Sequence, residues 1–297
     1  MIHHRLTNRG FPDWKRGESI MRWDMARSNA PRDPEGMRYT SIIGIDLELP
    51  VNQVNVEQPW RWLLKGWQDF SRAGSVSLVF GIGIALISAL LVFGFWQSDF
   101  RPYAFPLAAG FFFMAPLLGV AFYEISRRLE KGLPLNVVDI ALSWRPHAGQ
   151  LFTMGLIMMF LHLAWERLAM LIYAGFFNIE LASWEHFVGA VLFSTDGIPF
   201  LLVGTATGGV LAITAFAIGV VAFPMLMERD CGTLRAITTS ICATFVNWRV
   251  LIGWGALIVL FTVAGIATFC IGLAVTMPLI GHASWHAYRD LVETKND

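Results

Sequence analysis

The chain has 297 residues with equal numbers of acidic and basic side chains, and it is 55% apolar and only 15% charged, where a soluble domain carries about 25% charged residues. That composition, with a mean hydropathy of +0.54, excludes an ordinary water-soluble fold. The absence of net charge gives no footing for nucleic acid or a polyanionic partner. Apolar runs fill the stretch from Ser75 to Tyr288, so the fold class expected is all-α, a polytopic transmembrane helical bundle.

Residues 1–50 are polar and broken by Gly10, Pro12, Gly17, Pro31, Pro34 and Gly36, which predicts a disordered cytoplasmic tail. No apolar core follows its early positive charges, so no cleavable signal peptide is expected. The transmembrane domain is placed at 51–292, with a short C-terminal tail at 293–297.

Ahead of the first span, Trp60, Leu63, Leu64, Trp67 and Phe70 recur at helical spacing, which predicts a helix lying along the membrane surface. A spanning helix needs about 20 mostly apolar residues. By that measure, spans are expected at about 75–97, 103–125, 150–177, 198–227, 250–269 and 271–288. The last two come from one tract, too long for a single span, divided at Phe269-Cys270-Ile271-Gly272.

An internal repeat supports six spans arranged as three helical hairpins. The second member of each hairpin carries a Gly followed by a Pro: Gly110 with Pro116, Gly219 with Pro224, and Gly272 with Pro278. A Trp-Arg pair precedes each hairpin, at Trp60-Arg61, Trp144-Arg145 and Trp248-Arg249. Pro116, Pro224 and Pro278 are expected to kink their helices and shape the bundle, with gating as the alternative role.

Short loops set the orientation. Arg61, Lys65 and Arg72, then Arg127, Arg128, Lys131 and Arg145, then Arg229, Arg235 and Arg249 mark the cytoplasmic face; the opposite side offers Arg101 and a segment, 178–197, without Lys or Arg. Both termini are therefore expected inside, in a bacterial inner membrane. Interfacial helices are also expected after the second and fourth spans, through Leu135, Val138 and Leu142 and through Leu234, Ile237, Ile241, Phe245 and Trp248, and outside at 179–193. Trp60, Trp67, Trp144, Trp248 and Trp285 are the expected interface anchors.

Several stretches resemble an uncharacterised family of bacterial integral membrane proteins that bears only a domain-of-unknown-function label. They are Pro59-Trp60-Arg61-Trp62-Leu63 with Gly66-Trp67-Gln68-Asp69, then Gly119 to Gly132 with Tyr123-Glu124-Ile125-Ser126-Arg127-Arg128-Leu129-Glu130. Trp165-Glu166-Arg167-Leu168-Ala169 follows, and the last is Pro278-Leu279-Ile280-Gly281-His282-Ala283-Ser284-Trp285-His286-Ala287-Tyr288-Arg289-Asp290-Leu291. The resemblance implies a six-helix inner-membrane protein and supplies no catalytic residues.

Some relatives in that family carry a loose label as cytochrome c oxidase subunit I-like. A haem-copper catalytic subunit needs several intramembrane histidines. Of seven histidines here, only His162, His282 and His286 lie within or at the end of spans. The catalytic oxidase role is thereby excluded, and an accessory or assembly role remains.

His282 and His286 are four apart on one helix face, a spacing that suits two metal ligands. No third ligand is near in sequence, so the expected role is an interfacial anchor, with haem or metal as the alternative and no cofactor expected. His162, Glu166 and Arg167 form the other candidate polar site, with His162 and Glu166 on one face near the outer edge of the third span. An ion pair or a snorkelling Arg explains them, and a site for ligand or protons is the sharper alternative.

Glu124 and Arg128 are spaced to pair, and Gly204 to Gly208 presents a small-residue face. Cys231, Cys242 and Cys270 read as free thiols. No phosphate-binding glycine loop, dinucleotide fingerprint, zinc-protease, haem-attachment or serine-hydrolase motif is present, which weighs against an enzyme. The expected partners are the lipid bilayer and other inner-membrane proteins. The function expected is a non-enzymatic accessory or assembly component of a membrane complex, with a small transporter or channel as the alternative.

Overall fold

The computed structural model describes residues 38–42, 45–97, 118–177, 189 and 191–292. Two strands, β1 (Arg38–Ile42) and β2 (Ile45–Asn52), open the described chain. Ten α-helices follow among the described residues: α1 (Gln58–Ala73), α2 (Ser75–Gln97), α3 (Val120–Glu130), α4 (Val137–Ala141), α5 (Ala148–Phe177), α6 (Gly197–Gly219), α7 (Ala222–Glu228), α8 (Thr233–Val246), α9 (Trp248–Ala267) and α10 (Leu273–Leu291).

The chain is mostly helical, and four helical stretches are long and apolar enough to cross a membrane: Ser75–Gly94, Val137–Phe177, Gly197–Glu228 and Trp248–Ala267. They match the first, third, fourth and fifth expected spans. The second falls largely on 98–117, outside the described residues, as do Pro116, most of the external segment 179–193, and residues 1–37 and 293–297.

Part of the expected tail is paired. β1 and β2 form an antiparallel hairpin with Arg38 opposite Asn52 and Tyr39 opposite Val51, interrupted by an irregularity before Ser41. Val51 also bridges Val292 beyond the end of α10. Asn247 holds this region to the bundle: its Nδ2 donates to the Asn52 carbonyl at 2.9 Å, and its Oδ1 accepts from Val54 N–H at 2.8 Å.

The sixth expected span falls on α10, which is not one of these four stretches; among the described residues α10 packs at the centre of the other helices. Almost every residue from Met277 to Leu291 is buried, against α1, α2, α3 and α9. A helix enclosed by other helices has no need of an apolar surface, which is why this one carries His282, His286, Tyr288, Arg289 and Asp290 and is less apolar than the four above. The turn into it occurs where the tract was divided. Phe269 and Cys270 take positive φ of 54° and 66°. Thr268 Oγ1 closes the turn by accepting from Gly272 N–H at 2.8 Å.

Helix α1 also packs one face into the bundle. Trp62, Leu63, Gly66, Asp69 and Ala73 are buried, and α1 runs along α10. Trp62 meets Trp254 edge-on with ring centroids 5.6 Å apart. The outward face keeps Trp60, Leu64 and Trp67 exposed. Trp144 and Trp248 are exposed too, but Trp285 is fully buried against Tyr288 and so is no interface anchor.

Two prolines act at helix contacts. Pro224 sits at the start of α7, just past a break after Gly219. Ser240 of α8 reseals that break: its hydroxyl donates to the Ala217 carbonyl at 2.7 Å and accepts from Val221 N–H at 3.1 Å. Left unpaired, each of those buried backbone groups would cost about 1–3 kcal/mol.

Pro278 lies inside α10 and cannot donate to the Ala274 carbonyl four residues back. There α2 comes closest, at Gly81, where a Cβ would collide with the Ala274 carbonyl oxygen and lie 2.8 Å from Pro278 Cγ. Gly66 brings α1 near as well, since a Cβ there would stand 2.8 Å from the Ala283 nitrogen. In lipid, where hydrocarbon tails are as apolar as Leu, such close fit and interhelical hydrogen bonds hold helices together.

Candidate functional site

The polar interior is organised along one face of α10, where residues four apart share a side. His282, with no exposed surface, lies between two serine hydroxyls: Ser77 Oγ of α2 is 2.8 Å from Nε2, and Ser126 Oγ of α3 is 2.9 Å from Nδ1. Ser126 in turn donates to Asp69 Oδ2 of α1 at 2.7 Å. The same carboxylate oxygen is 2.8 Å from His286 Nε2, one turn along α10 from His282. A continuous chain thus runs Ser77, His282, Ser126, Asp69, His286 and joins four helices.

Directions follow from donor and acceptor capacity. An ionised Asp69 only accepts, so Ser126 gives its hydrogen to the carboxylate and takes one from His282 Nδ1–H; a neutral His282 then accepts from Ser77 at Nε2. Phe122 packs edge-on to the His282 ring with centroids 5.5 Å apart, and its backbone also hydrogen-bonds the ring. Burial pushes the Asp69 carboxyl up, but the hydrogen bonds from His286 and Ser126 and the charge of the nearby imidazoles outweigh it. The net effect holds Asp69 below the ordinary carboxylate range.

Toward its C-terminus α10 continues to pair outward. Tyr288 donates to Glu228 Oε2 at 2.6 Å, and Arg289 Nη1 to Glu228 Oε1 at 2.9 Å, with Arg289 Nε 3.4 Å from Glu130 Oε2. Asp290 Oδ2 accepts from Gln58 Nε2 and Trp62 Nε1, both at 2.8 Å. On α3 the expected Glu124–Arg128 pair forms at 2.6 Å, and Arg127 adds two bonds of 2.7 and 2.9 Å to the same carboxylate.

The residues singled out from sequence fall unevenly on this geometry. His282 and His286 share a face as their spacing predicts, but the burial of His282 overturns the interfacial-anchor role. Serine hydroxyls flank both nitrogens of His282, and among the described residues there is no group of three or more His, Cys, Asp or Glu placed to hold a metal ion. His162 and Glu166 come together at 3.4 Å, both partly buried, while Arg167 lies on the exposed side of α5. Trp165 packs where a Cβ on Gly208 would stand, which gives that glycine a packing role.

Asp69, Ser77 and Ser126 were not singled out by their chemistry. Hydropathy gives no hint of them, because a single Asp and two Ser are unremarkable until four helices are brought together. Yet three of the four stretches that carry the resemblance, those holding Asp69, Ser126 and His282 with His286, meet at this chain of hydrogen bonds.

Residues 104–228 match the family model described as "Predicted integral membrane protein (DUF2189)". That is the kind of uncharacterised membrane family that the motifs resemble. No curated protein and no solved structure matches the chain.

Proposed function

From a chain whose residues 104–228 carry the model of an uncharacterised integral membrane family, we infer a six-span bacterial inner-membrane protein that works as a non-enzymatic accessory or assembly component beside other membrane proteins. In this reading the spans form three hairpins, the second of them running through about 103–125, and both termini are cytoplasmic. Arg127, Arg128 and Arg289 cluster with Glu124, Glu130 and Glu228 at the end of the bundle assigned to the cytoplasm.

The observation that carries this reading is that the ionisable groups packed along the buried face of α10 have side-chain partners within the bundle. Asp69, His282, His286 and Glu228 each bond to side chains of the bundle, which favours a packing component over a solute site. Outward, Phe152, Phe160 and Leu171 of α5 are exposed, a surface suited to lipid and to neighbouring helices. Purification of the full chain in mild detergent, followed by mass spectrometry, tests the role. A defined membrane protein retained at constant ratio through size exclusion is expected. A chain that purifies alone would overturn it and favour the second reading, a small transporter. Transport draws support from polar groups of α1, α2, α3 and α10 meeting inside the bundle, and from the His162–Glu166 pair.

A further inference from the structure

We propose that the three exposed Trp-Arg pairs, Trp60-Arg61, Trp144-Arg145 and Trp248-Arg249, are headgroup sites for anionic phospholipid, set around the end of the bundle at which α10 terminates. The inference needs only the bilayer around an integral membrane protein and stands whether or not the chain also holds a protein partner.

Each pair lies where the chain is about to enter an apolar helix. Trp144-Arg145 comes just ahead of α5, Trp248-Arg249 opens α9, and Trp60-Arg61 is on α1, which runs through Gly74 into α2. Hydrogen bonds fix all three at one end of the bundle. Near Trp60, Gln58 reaches Asp290, close to the end of α10, at 2.8 Å. Beside Trp248, Asn247 holds the Asn52 carbonyl at 2.9 Å, next to Val51, which bridges Val292. Following Trp144, Gln150 lies 3.5 Å from Asp230, just beyond Glu228, the partner of Arg289.

The side chains are sorted there by partner. The three indoles are exposed, whereas Trp62 of α1 and Trp254 of α9 are fully buried. Arg61, Arg145 and Arg249 are exposed as well. Among the described residues no carboxylate pairs with any of the three, although Arg127 and Arg128 pair with Glu124, and Arg229 and Arg289 with Glu228. Nor does α1 offer an acid on its outward face, because Asp69 is turned inward to Ser126 and His286. Three cations that the protein leaves unneutralised take their counter-charge from the surroundings, and beside an exposed indole at the start of an apolar helix those surroundings are headgroups.

The chemistry of the pair suits that ligand. A guanidinium gives two parallel N–H bonds to a phosphate, and an indole sits at headgroup level with its ring toward the acyl chains. The Arg249 guanidinium lies over the Trp248 ring, 5.2 Å from its centroid. That contact keeps the cation beside the ring and leaves its in-plane N–H groups for an anion. A zwitterionic headgroup brings its own cation beside the phosphate, so the net attraction is to anionic lipid.

The test titrates the full chain, purified in mild detergent, with phosphatidylglycerol or phosphatidylcholine and reads bound lipid by native mass spectrometry. The wild type should bind phosphatidylglycerol in preference. Arg61→Gln, Arg145→Gln and Arg249→Gln together should weaken that binding about fivefold per site and leave phosphatidylcholine binding unchanged. Lys131→Gln, which removes an exposed cation with no Trp beside it, should leave both unchanged. Excess inorganic phosphate should not displace the lipid, since the indoles also hold its apolar part. Equal binding of the two lipids by the wild type would overturn the proposal, as would a triple variant that keeps the preference, a Lys131→Gln protein that loses it, or displacement by phosphate. Should the triple variant fail to fold, the three single variants decide.

Discussion

Asp69→Ala is expected to destabilise the protein by about 3 kcal/mol, the upper end of the usual cost of leaving a buried donor without its acceptor. Asp69 is 5% exposed, and its Oδ2 takes hydrogen bonds from Ser126 and His286 at 2.7 and 2.8 Å. The substitution leaves the Ser126 hydroxyl and the His286 ring without an acceptor and opens a void between α1, α3 and α10. Asp69→Asn keeps an acceptor oxygen and should cost less. Denaturation in mild detergent, followed by intrinsic fluorescence, checks both. The pH dependence has a definite sign. Because the folded protein holds the Asp69 carboxyl below its ordinary range, its contribution is present above the unfolded value and is lost as pH falls through the lowered folded value. In Asp69→Asn that acid-side loss should be smaller.

Gly81→Ala is the second substitution with a large expected effect, and its sign is not that of helix propensity. In an open helix position, Ala is better than Gly by about 1 kcal/mol. At Gly81 the new Cβ would meet the Ala274 carbonyl oxygen and Pro278 Cγ, and a backbone carbonyl cannot swing away as a flexible side chain does. Helices α2 and α10 must separate, which at the usual cost of overpacking outweighs the propensity gain, for a net loss of about 2 kcal/mol. The separation also lengthens the Ser77–His282 bond, one turn away. Gly83→Ala is the matched control: among the described residues nothing lies within 4 Å of its Cβ position, so it should be neutral or stabilising in the same assay.

The contrast between these sites and the rest of the chain shows how far sequence carries. Helices such as Ser75–Gly94 and Trp248–Ala267, long and apolar enough to cross a membrane, were legible because lipid demands length and apolarity of the residues that face it. The turn at Phe269–Gly272 was legible because one tract exceeded one bilayer, and the Gly-Pro repeat offered a place to divide it. Helix α10 was misread in its second half for a related reason. Trp285, Tyr288 and Arg289 at the end of an apolar run look like interfacial anchors, and only the surrounding helices turn that face into a core.

The surface-helix reading of α1 stopped at a visible stripe and overlooked another. Trp62, Gly66, Asp69 and Ala73 also recur at helical spacing and form the buried face. A Gly and an Asp within that row hide it from any reading by hydropathy, since one is there for close approach to Ala283 and the other for His286 and Ser126. The convergence of Asp69, Ser77, Ser126 and His282 depends on contacts between residues up to 205 positions apart, which no local pattern encodes.

The most direct measurement of the central claim is fractionation of cells expressing the full chain, with the membranes washed in alkaline carbonate. Helices that satisfy their own peptide groups and cross the hydrocarbon layer keep the protein in the membrane pellet through the wash, and that is the expected result. Recovery of the protein in the wash supernatant would contradict the account.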